Sequence, residues 1–383
     1  MKVVIIGAST SGLFTAYLLA KEGVEVQVYE RMNALGLPPR TLIVTNKLNE
    51  ILDFVPKEAI INQVKYLELF SKSKSAKLEL HCPDLIIERK KLVELFARLA
   101  EGAGAKIVLR HQFEGFAQLT KRVVVNLRNL ETNEQRRFSA DILVGADGPL
   151  SGVARFASCD GHHLSALLQA RVALPNNANH DTFQVWFDSN HTKYFYWLIP
   201  ESDRVAAVGL ISNDPHKAEA GLMTFLRERG LNPLQFQAAM VAMHRFELTD
   251  SFMPAGQNVF LVGDSAAQVK VTTVGGVVTG LHAARALAHA ILNGRNYSKE
   301  LRELKLELNL HLLVRNMLNL FNDADYDELI CMLNGKLKPF LEKLSRDELK
   351  QSFLRMIWIE PRLITLGAKA FLRSMLWNAN RHQ

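Results

Sequence analysis

The 383-residue sequence predicts an α/β fold: a Rossmann-type domain on a parallel sheet, an inserted mixed or antiparallel β-sheet domain, and a C-terminal helical region. Three stretches carry that prediction. Val3–Ile6 is a short apolar run of buried-strand type, followed by Gly7-x-Ser9-x-x-Gly12 and a helical pattern. Ile142–Val144 is a second such run, leading into Asp147-Gly148. Val259–Val262 is a third, followed by Gly263-Asp264, a glycine-rich turn and a small-residue helix.

The first stretch has the spacing of a dinucleotide-binding turn. Gly7 suits the tight turn, the middle position faces a pyrophosphate, and Gly12 lets helix pack on strand. Ser9 replaces the middle glycine; it narrows the clearance, though its hydroxyl can donate to a phosphate oxygen. Val24–Tyr29 reads as the next strand and ends in Glu30. A carboxylate there accepts from a free ribose 2′-OH and repels a 2′-phosphate, which favours FAD or NAD over NADP. Ser11 and Arg31, beside these positions, complete the candidate set at this end of the cofactor.

In the third stretch, Asp264 stands at the carboxyl end of a strand, where open α/β sheets bind ligands. Its carboxylate suits the hydroxyls of a ribityl chain. Gly275 and Gly276 let backbone approach a ligand, and the helix that follows offers free N–H groups to a partly anionic ring.

Taken in order, the GxGxxG variant, Asp147-Gly148 and Gly263-Asp264 resemble the FAD signatures of the para-hydroxybenzoate-hydroxylase-like flavoproteins. VGDSAAQVKVTTVGGVVTGL is similar to the geranylgeranyl reductase family, which reads close to VGDAAGQVKPTTGGGI. Gln268, Val269, Lys270, Thr272, Thr273, Gly275 and Gly276 match; Val271 and Val274 replace a usual proline and glycine. The loop Gly36–Arg40 resembles the family loop whose arginine, here Arg40, approaches the flavin. The family often follows that arginine with cysteine, where this chain has Thr41. Arg89 matches an arginine before the helix flanking FAD, and Phe195–Pro200 resembles the substrate-cavity motif YxWxFP.

The resemblance implies reduction of carbon–carbon double bonds in a geranylgeranyl or other polyprenyl chain, with FAD as cofactor. It implies catalytic roles for Phe195, Tyr196 and Trp197, whose aromatic faces tolerate the positive charge of a protonated alkene. Strand alternation aims Phe195 and Trp197 to one face and Tyr196 to the other. Thr41 is too weak an acid to replace a cysteine as proton donor. An elongated apolar tunnel with a basic entrance is expected beside Trp197. Two other readings stand: a flavin monooxygenase or halogenase, since FYWLIP is also close to WxWxIP, and a non-catalytic flavoprotein that binds a polyprenyl lipid. One dinucleotide fingerprint leaves no second nucleotide domain, so the electron donor visits transiently. NAD(P)H, ferredoxin and a deazaflavin all remain open.

The expected domain map is discontinuous. Residues 1–60, 88–160 and 252–295 form the FAD domain. Residues 61–87 and 161–251 form the substrate or lid sheet, with strands at Val64–Phe70, Lys77–His81, Leu167–Leu174, Thr182–Asp188, Tyr194–Ile199 and Arg204–Leu210. Residues 296–383 are helical, including Asp323–Leu333 and Arg346–Ile359.

Hydrophobic content of 48% with 22% charged residues is that of a folded chain, not a disordered one. Three scattered cysteines and no leader pattern point to the cytoplasm. No 18-residue apolar run is present. The net charge of +7 suits an anionic cofactor; no reader motif accompanies it, so no nucleic-acid partner is expected. Phe353–Trp377 mixes apolar and basic residues in a composition compatible with peripheral membrane contact, though such a stretch is more often a helix pair capping the core. The Cys159–His163 cluster fits no zinc spacing, so no metal is expected.

Overall fold

The computed structural model describes residues 1–159, 163–175, 178–246 and 258–381, with side chains described up to 376. Asp160–His162 of the Cys-Asp-Gly-His-His stretch thus lie outside the described residues. Among the described ones no group of His, Cys, Asp and Glu could hold a metal.

The architecture is the α/β arrangement read from the sequence. A five-stranded parallel sheet runs in the order Val259–Leu261, Ile142–Gly145, Lys2–Ile6, Glu25–Tyr29, Lys106–Val108. Val3, Val4 and Ile5 are fully buried, because helices cover one face of this sheet and the three-stranded meander of residues 111–140 packs on the other. The helices Thr10–Lys21, Arg89–Gly102 and Val277–Asn293 carry most of that packing. All three motif stretches end at one edge of this sheet, since parallel strands share a carboxyl end.

The second sheet has eight strands and is mixed. Thr182–Trp186 pairs in parallel with Ile60–Phe70; the other pairings are antiparallel. Its two faces bury separate cores. One face carries Phe195, Trp197, Val185, Leu69 and Ile211, together with Val269 and Val271 from the turn after Asp264. The other carries Tyr196, Ala170, Val208 and Leu210 under the helix Pro215–Glu228.

Several elements were absent from the sequence reading. Thr41–Val44 lies in the span expected for the FAD domain, yet pairs with the end of Ser75–Glu88 in the large sheet. Residues 111–140 form a separate three-stranded meander. Pro233–Met243 is an edge strand with an exposed first half, Leu234 and Phe236 included. Its mixed pattern hides the alternation that signals a half-buried strand.

The C-terminal region is helical, with Arg302–Leu318, Asp323–Leu333, Leu349–Ile359 and Arg362–Arg381 as its main pieces. Pro361 separates the last two, as a residue without an N–H must. This region is tied to the turn after Asp264 by buried polar contacts. Arg315, 3% exposed, donates to the carbonyls of Val271, Thr272 and Lys193 at 3.2, 3.1 and 2.8 Å. Lys270 pairs with Asp347, whose other oxygen accepts from Thr45. Burial works against an ionised Asp347, but the Lys270 ammonium, the Thr45 hydroxyl and Arg346 together outweigh it, holding the carboxyl below its ordinary value.

Candidate active site

The site begins at the end of the strand Lys2–Ile6. Gly7 has φ +100°, and a Cβ there would stand 2.4 Å from the Ala146 carbonyl oxygen. Only glycine fits that turn. Ser9 caps the helix Thr10–Lys21, its Oγ accepting from Gly12 N–H at 3.1 Å while its own proton stays available. Gly12 brings the helix onto the strand: a Cβ there would lie 2.4 Å from the Gly7 carbonyl oxygen. Ser11 is buried between elements. Its buried Oγ sits where Cβ atoms on Gly263 and Gly280 would reach 2.6 and 2.3 Å, so it serves the packing of two helices and a turn.

Glu30 reaches back over this turn. Its two oxygens accept from Ala8 N–H and Met32 N–H, both at 2.9 Å. Arg31 next to it is exposed.

Arg89 and Arg40 form the next part. Arg89 Nη1 donates to the Gly36 carbonyl at 3.2 Å, and its backbone N–H donates to the Arg40 carbonyl at 2.9 Å. Arg89 thereby shapes the loop that presents Arg40. Burial first, then the neighbouring Arg89 charge, pushes the Arg40 guanidinium down to about 10, with Asp264 opposing. It remains a cation at neutral pH. Its Nε is enclosed without a hydrogen-bond partner. Two adjacent guanidiniums and an unpartnered donor at a sheet edge make a site for an anion.

Asp264 follows Gly263, which has φ +72°. Gly276 leaves room beside it; a Cβ there would stand 2.8 Å from Asp264 Oδ1. The turn closes through a pairing of Lys270 with Gly275, and the helix Val277–Asn293 starts with no side-chain cap. Val274 in this turn has φ +54°. A β-branched residue in the left-handed region is strained by about 1–3 kcal/mol. That accounts for glycine at this position in the resembling family.

Asp147 is engaged locally. Its oxygens accept from Ser151 Oγ at 2.5 Å and from the Gly152 and Val153 N–H groups at 2.7 and 3.2 Å. It supports the Ser151 cap of the short helix Gly152–Phe156, and burial raises its carboxyl above the usual range.

The aromatic trio divides between the sheet faces. Phe195 and Trp197 meet edge to face at 6.1 Å on the side of the Asp264 turn. Trp197 Cζ2 lies over Gly209, where a Cβ would approach to 2.5 Å. Tyr196 points the opposite way and stacks on Phe225 at 4.3 Å. The structure does not bring it to the other two, because neighbouring strand residues alternate.

A cleft of about 350 Å³ opens on the Trp197 face, beside Arg40 and Thr41. Sequence reading missed its main groups. Arg171 holds Glu201 through Nε at 2.9 Å and Nη2 at 2.6 Å, and Thr41 Oγ1 donates to Glu201 Oε1 at 2.5 Å. Gln235 and Gln237 line the same cleft. Charged and amide side chains line this cleft, although most of its open surface is carbon, and it is not the elongated apolar tunnel expected from the sequence. The apolar half of the face is instead covered by Leu312, Ile330 and Leu333 of the C-terminal helices.

With this geometry in place, the comparisons with known proteins are decisive for the cofactor. The family described as FAD binding domain matches residues 1–298. The chain belongs to that family. FAD is its cofactor, and the residues fit it: glycine turns that a Cβ would fill, and the enclosed Arg40 Nε. Digeranylgeranylglycerophospholipid reductase 3 of Methanosphaera stadtmanae is 25% identical over 364 residues, 86% of this chain and 90% of that protein. The chloroplastic geranylgeranyl diphosphate reductase of Oryza sativa subsp. japonica is 26% identical over 77% of this chain and 67% of its own length. In fold, the chain is similar to a geranylgeranyl bacteriochlorophyll reductase-like protein of Thermoplasma acidophilum. The TM-score is 0.77, with 20% identity, covering 95% and 98% of the two chains. The flavin-dependent halogenase CmlS has a TM-score of 0.63 at 16% identity, over 94% of this chain and 70% of its own.

Two outcomes follow from the glycine geometry. Gly12→Val should yield protein without bound FAD, read by flavin absorbance after purification; retention of full FAD would refute the turn assignment. Val274→Gly removes left-handed strain and adds about 1 kcal/mol of unfolded-state freedom. The net gain should be up to about 2 kcal/mol, read as a higher Tm.

Proposed function

We propose that the chain is an FAD-dependent oxidoreductase that saturates carbon–carbon double bonds of a geranylgeranyl or other polyprenyl chain. The observation that carries this is the apolar continuity between the cofactor turn and the aromatic pair. Val269 and Val271 from the turn pack in one cluster with Trp197, and Phe195 and Val274 border it. The match to prenyl reductases over most of their length supports the same reading.

In this reading Gly7, Ser9 and Gly12 shape the pyrophosphate turn, Glu30 holds a ribose, and Arg40, Arg89, Asp264, Gly275 and Gly276 surround the rest of FAD. Ser11, Arg31 and Asp147 support that frame without touching its reactive part. Bound FAD supplies hydride. Phe195 and Trp197 exclude water and offer aromatic faces to the alkene. The substrate chain lies along the apolar half of the sheet face, towards the C-terminal helices.

The reductant is a transient donor, such as NAD(P)H or ferredoxin, acting in the cytoplasm. No helix among the described residues is long and apolar enough to cross a membrane. The last two helices nonetheless expose Leu354, Trp358, Leu372 and Leu376 at 77, 82, 59 and 67%. Residues 336–376 hold nine Lys and Arg against four Asp and Glu. That combination suits peripheral contact with an anionic lipid surface.

The Arg171, Glu201, Gln235 and Gln237 side chains lining the cleft favour a second reading, a flavin-dependent monooxygenase of a small substrate with polar groups. Mass spectrometry of products separates the two. Under anaerobic conditions with a chemical reductant, a reductase adds two hydrogens per double bond; a monooxygenase gives no product until oxygen is admitted. Trp197→Ala should lower turnover of long prenyl substrates at least tenfold while FAD stays bound and reducible. For the lipid surface, wild type should sediment with anionic vesicles and the Trp358→Asp, Leu372→Asp double variant should remain in solution. Equal sedimentation of both proteins would remove these helices as the contact.

A further inference from the structure

Resting on the reductase reading, we infer that Glu201 supplies the proton of the reaction through the hydroxyl of Thr41. Thr41 follows Arg40 in the chain, so it stands at the anion site. It also touches the substrate face. Gln169 Nε2 donates to the Thr41 carbonyl at 3.3 Å, and the Gln169 side chain meets Trp197 across Gly209, whose Cβ position lies 2.5 Å from both. Glu201 is 8% exposed, Thr41 is 4% exposed, and the half-buried Arg171 connects the carboxylate to the cleft. Solvent in the cleft thus reaches Glu201 and, through it, the Thr41 hydroxyl, on the sheet face that carries Trp197.

An ion pair built only for stability needs neither the threonine hydroxyl nor a cleft. Arg171 alone binds both carboxylate oxygens. The charged groups around the cleft are Arg171 from the strand His163–Ala173, Arg40 from the loop before Thr41, and Glu88 from the end of Ser75–Glu88. Gln235 and Gln237, from the edge strand, are neutral.

The relay resolves the weakness of threonine as an acid. Thr41 passes its proton to an alkene carbon while taking one from protonated Glu201, so it bears no charge at any stage. One Thr41 O–H bond breaks and one C–H bond forms from the alkene π pair. The Glu201 O–H bond breaks to restore Thr41. Reduced FAD, held by Arg40, Arg89 and Asp264, would supply the hydride that completes the reduction. One proton and one hydride are added, and Glu201 regains its proton from water in the cleft.

Glu201→Gln keeps an acceptor for Thr41 and cannot ionise. Its FAD content and its bleaching by reductant should match wild type, while kcat falls about 10²- to 10⁴-fold. Wild-type kcat should rise towards acid pH, and that rise should be lost in the variant. Thr41→Ser should keep most activity; Thr41→Val should behave like Glu201→Gln. In cofactor-free protein, infrared difference spectra on acidification should show a buried carboxylic acid band that is lost in Glu201→Gln and shifted in Thr41→Val. Alkene reduction by Glu201→Gln at the wild-type rate and pH profile overturns the relay alone. An infrared band unchanged by both substitutions also overturns it. Wild type that oxygenates its substrate instead of reducing it overturns the reductase reading and the relay together.

Discussion

Three chain segments must come within van der Waals contact at one edge of the parallel sheet, and the rest of the site depends on that approach. Ser11, on the first helix, lies against Gly263 and Gly280, while Gly12 lies against Gly7. No side chain could intervene without moving a helix. The approach places a helix start, the Asp264 turn and the Glu30 carboxylate around one volume. Oriented N–H groups and one fixed acceptor are what an anionic dinucleotide with a hydroxylated chain needs.

The large sheet adds a second constraint, set by alternation. The face that carries Trp197 is polar at one end and apolar at the other. Gln237, Gln169, Gly209, Trp197, Val185 and Leu69 follow one another across five neighbouring strand pairs. Gly209 is the seam, where the indole and an amide side chain meet over bare backbone. A substrate spanning that seam would meet amides and charges at one end and aliphatic groups at the other.

Much of the parallel sheet was legible in the sequence because its strands are short, continuous apolar runs followed by glycine turns. The helix Asp323–Leu333 was legible for a similar local reason, and its Asn322 cap completes the signal. The missed strand Thr41–Val44 is only four residues long and gains its partner from residues more than forty positions away. The groups now lining the cleft were illegible for the same cause. Thr41, Arg171 and Glu201 lie in three separate segments, and no spacing rule joins them. Ser11 and Tyr196 show the complementary limit. A motif or a short aromatic run marks a neighbourhood, while packing decides which way each member points.

The Lys270–Asp347 pair has a consequence for how the chain matures. Lys270 lies within the cofactor-binding family match, while its partner carboxylate lies 77 residues further on, past the end of that match. Arg315 enters the same turn from outside it as well. During synthesis the amino-terminal three-quarters would emerge with this turn lacking its buried counter-charge, and an uncompensated buried ion is costly. The turn is thus completed late, when the C-terminal helices leave the ribosome and pack against it. A nascent chain stalled before that point would carry every nucleotide-binding motif and still lack a finished site.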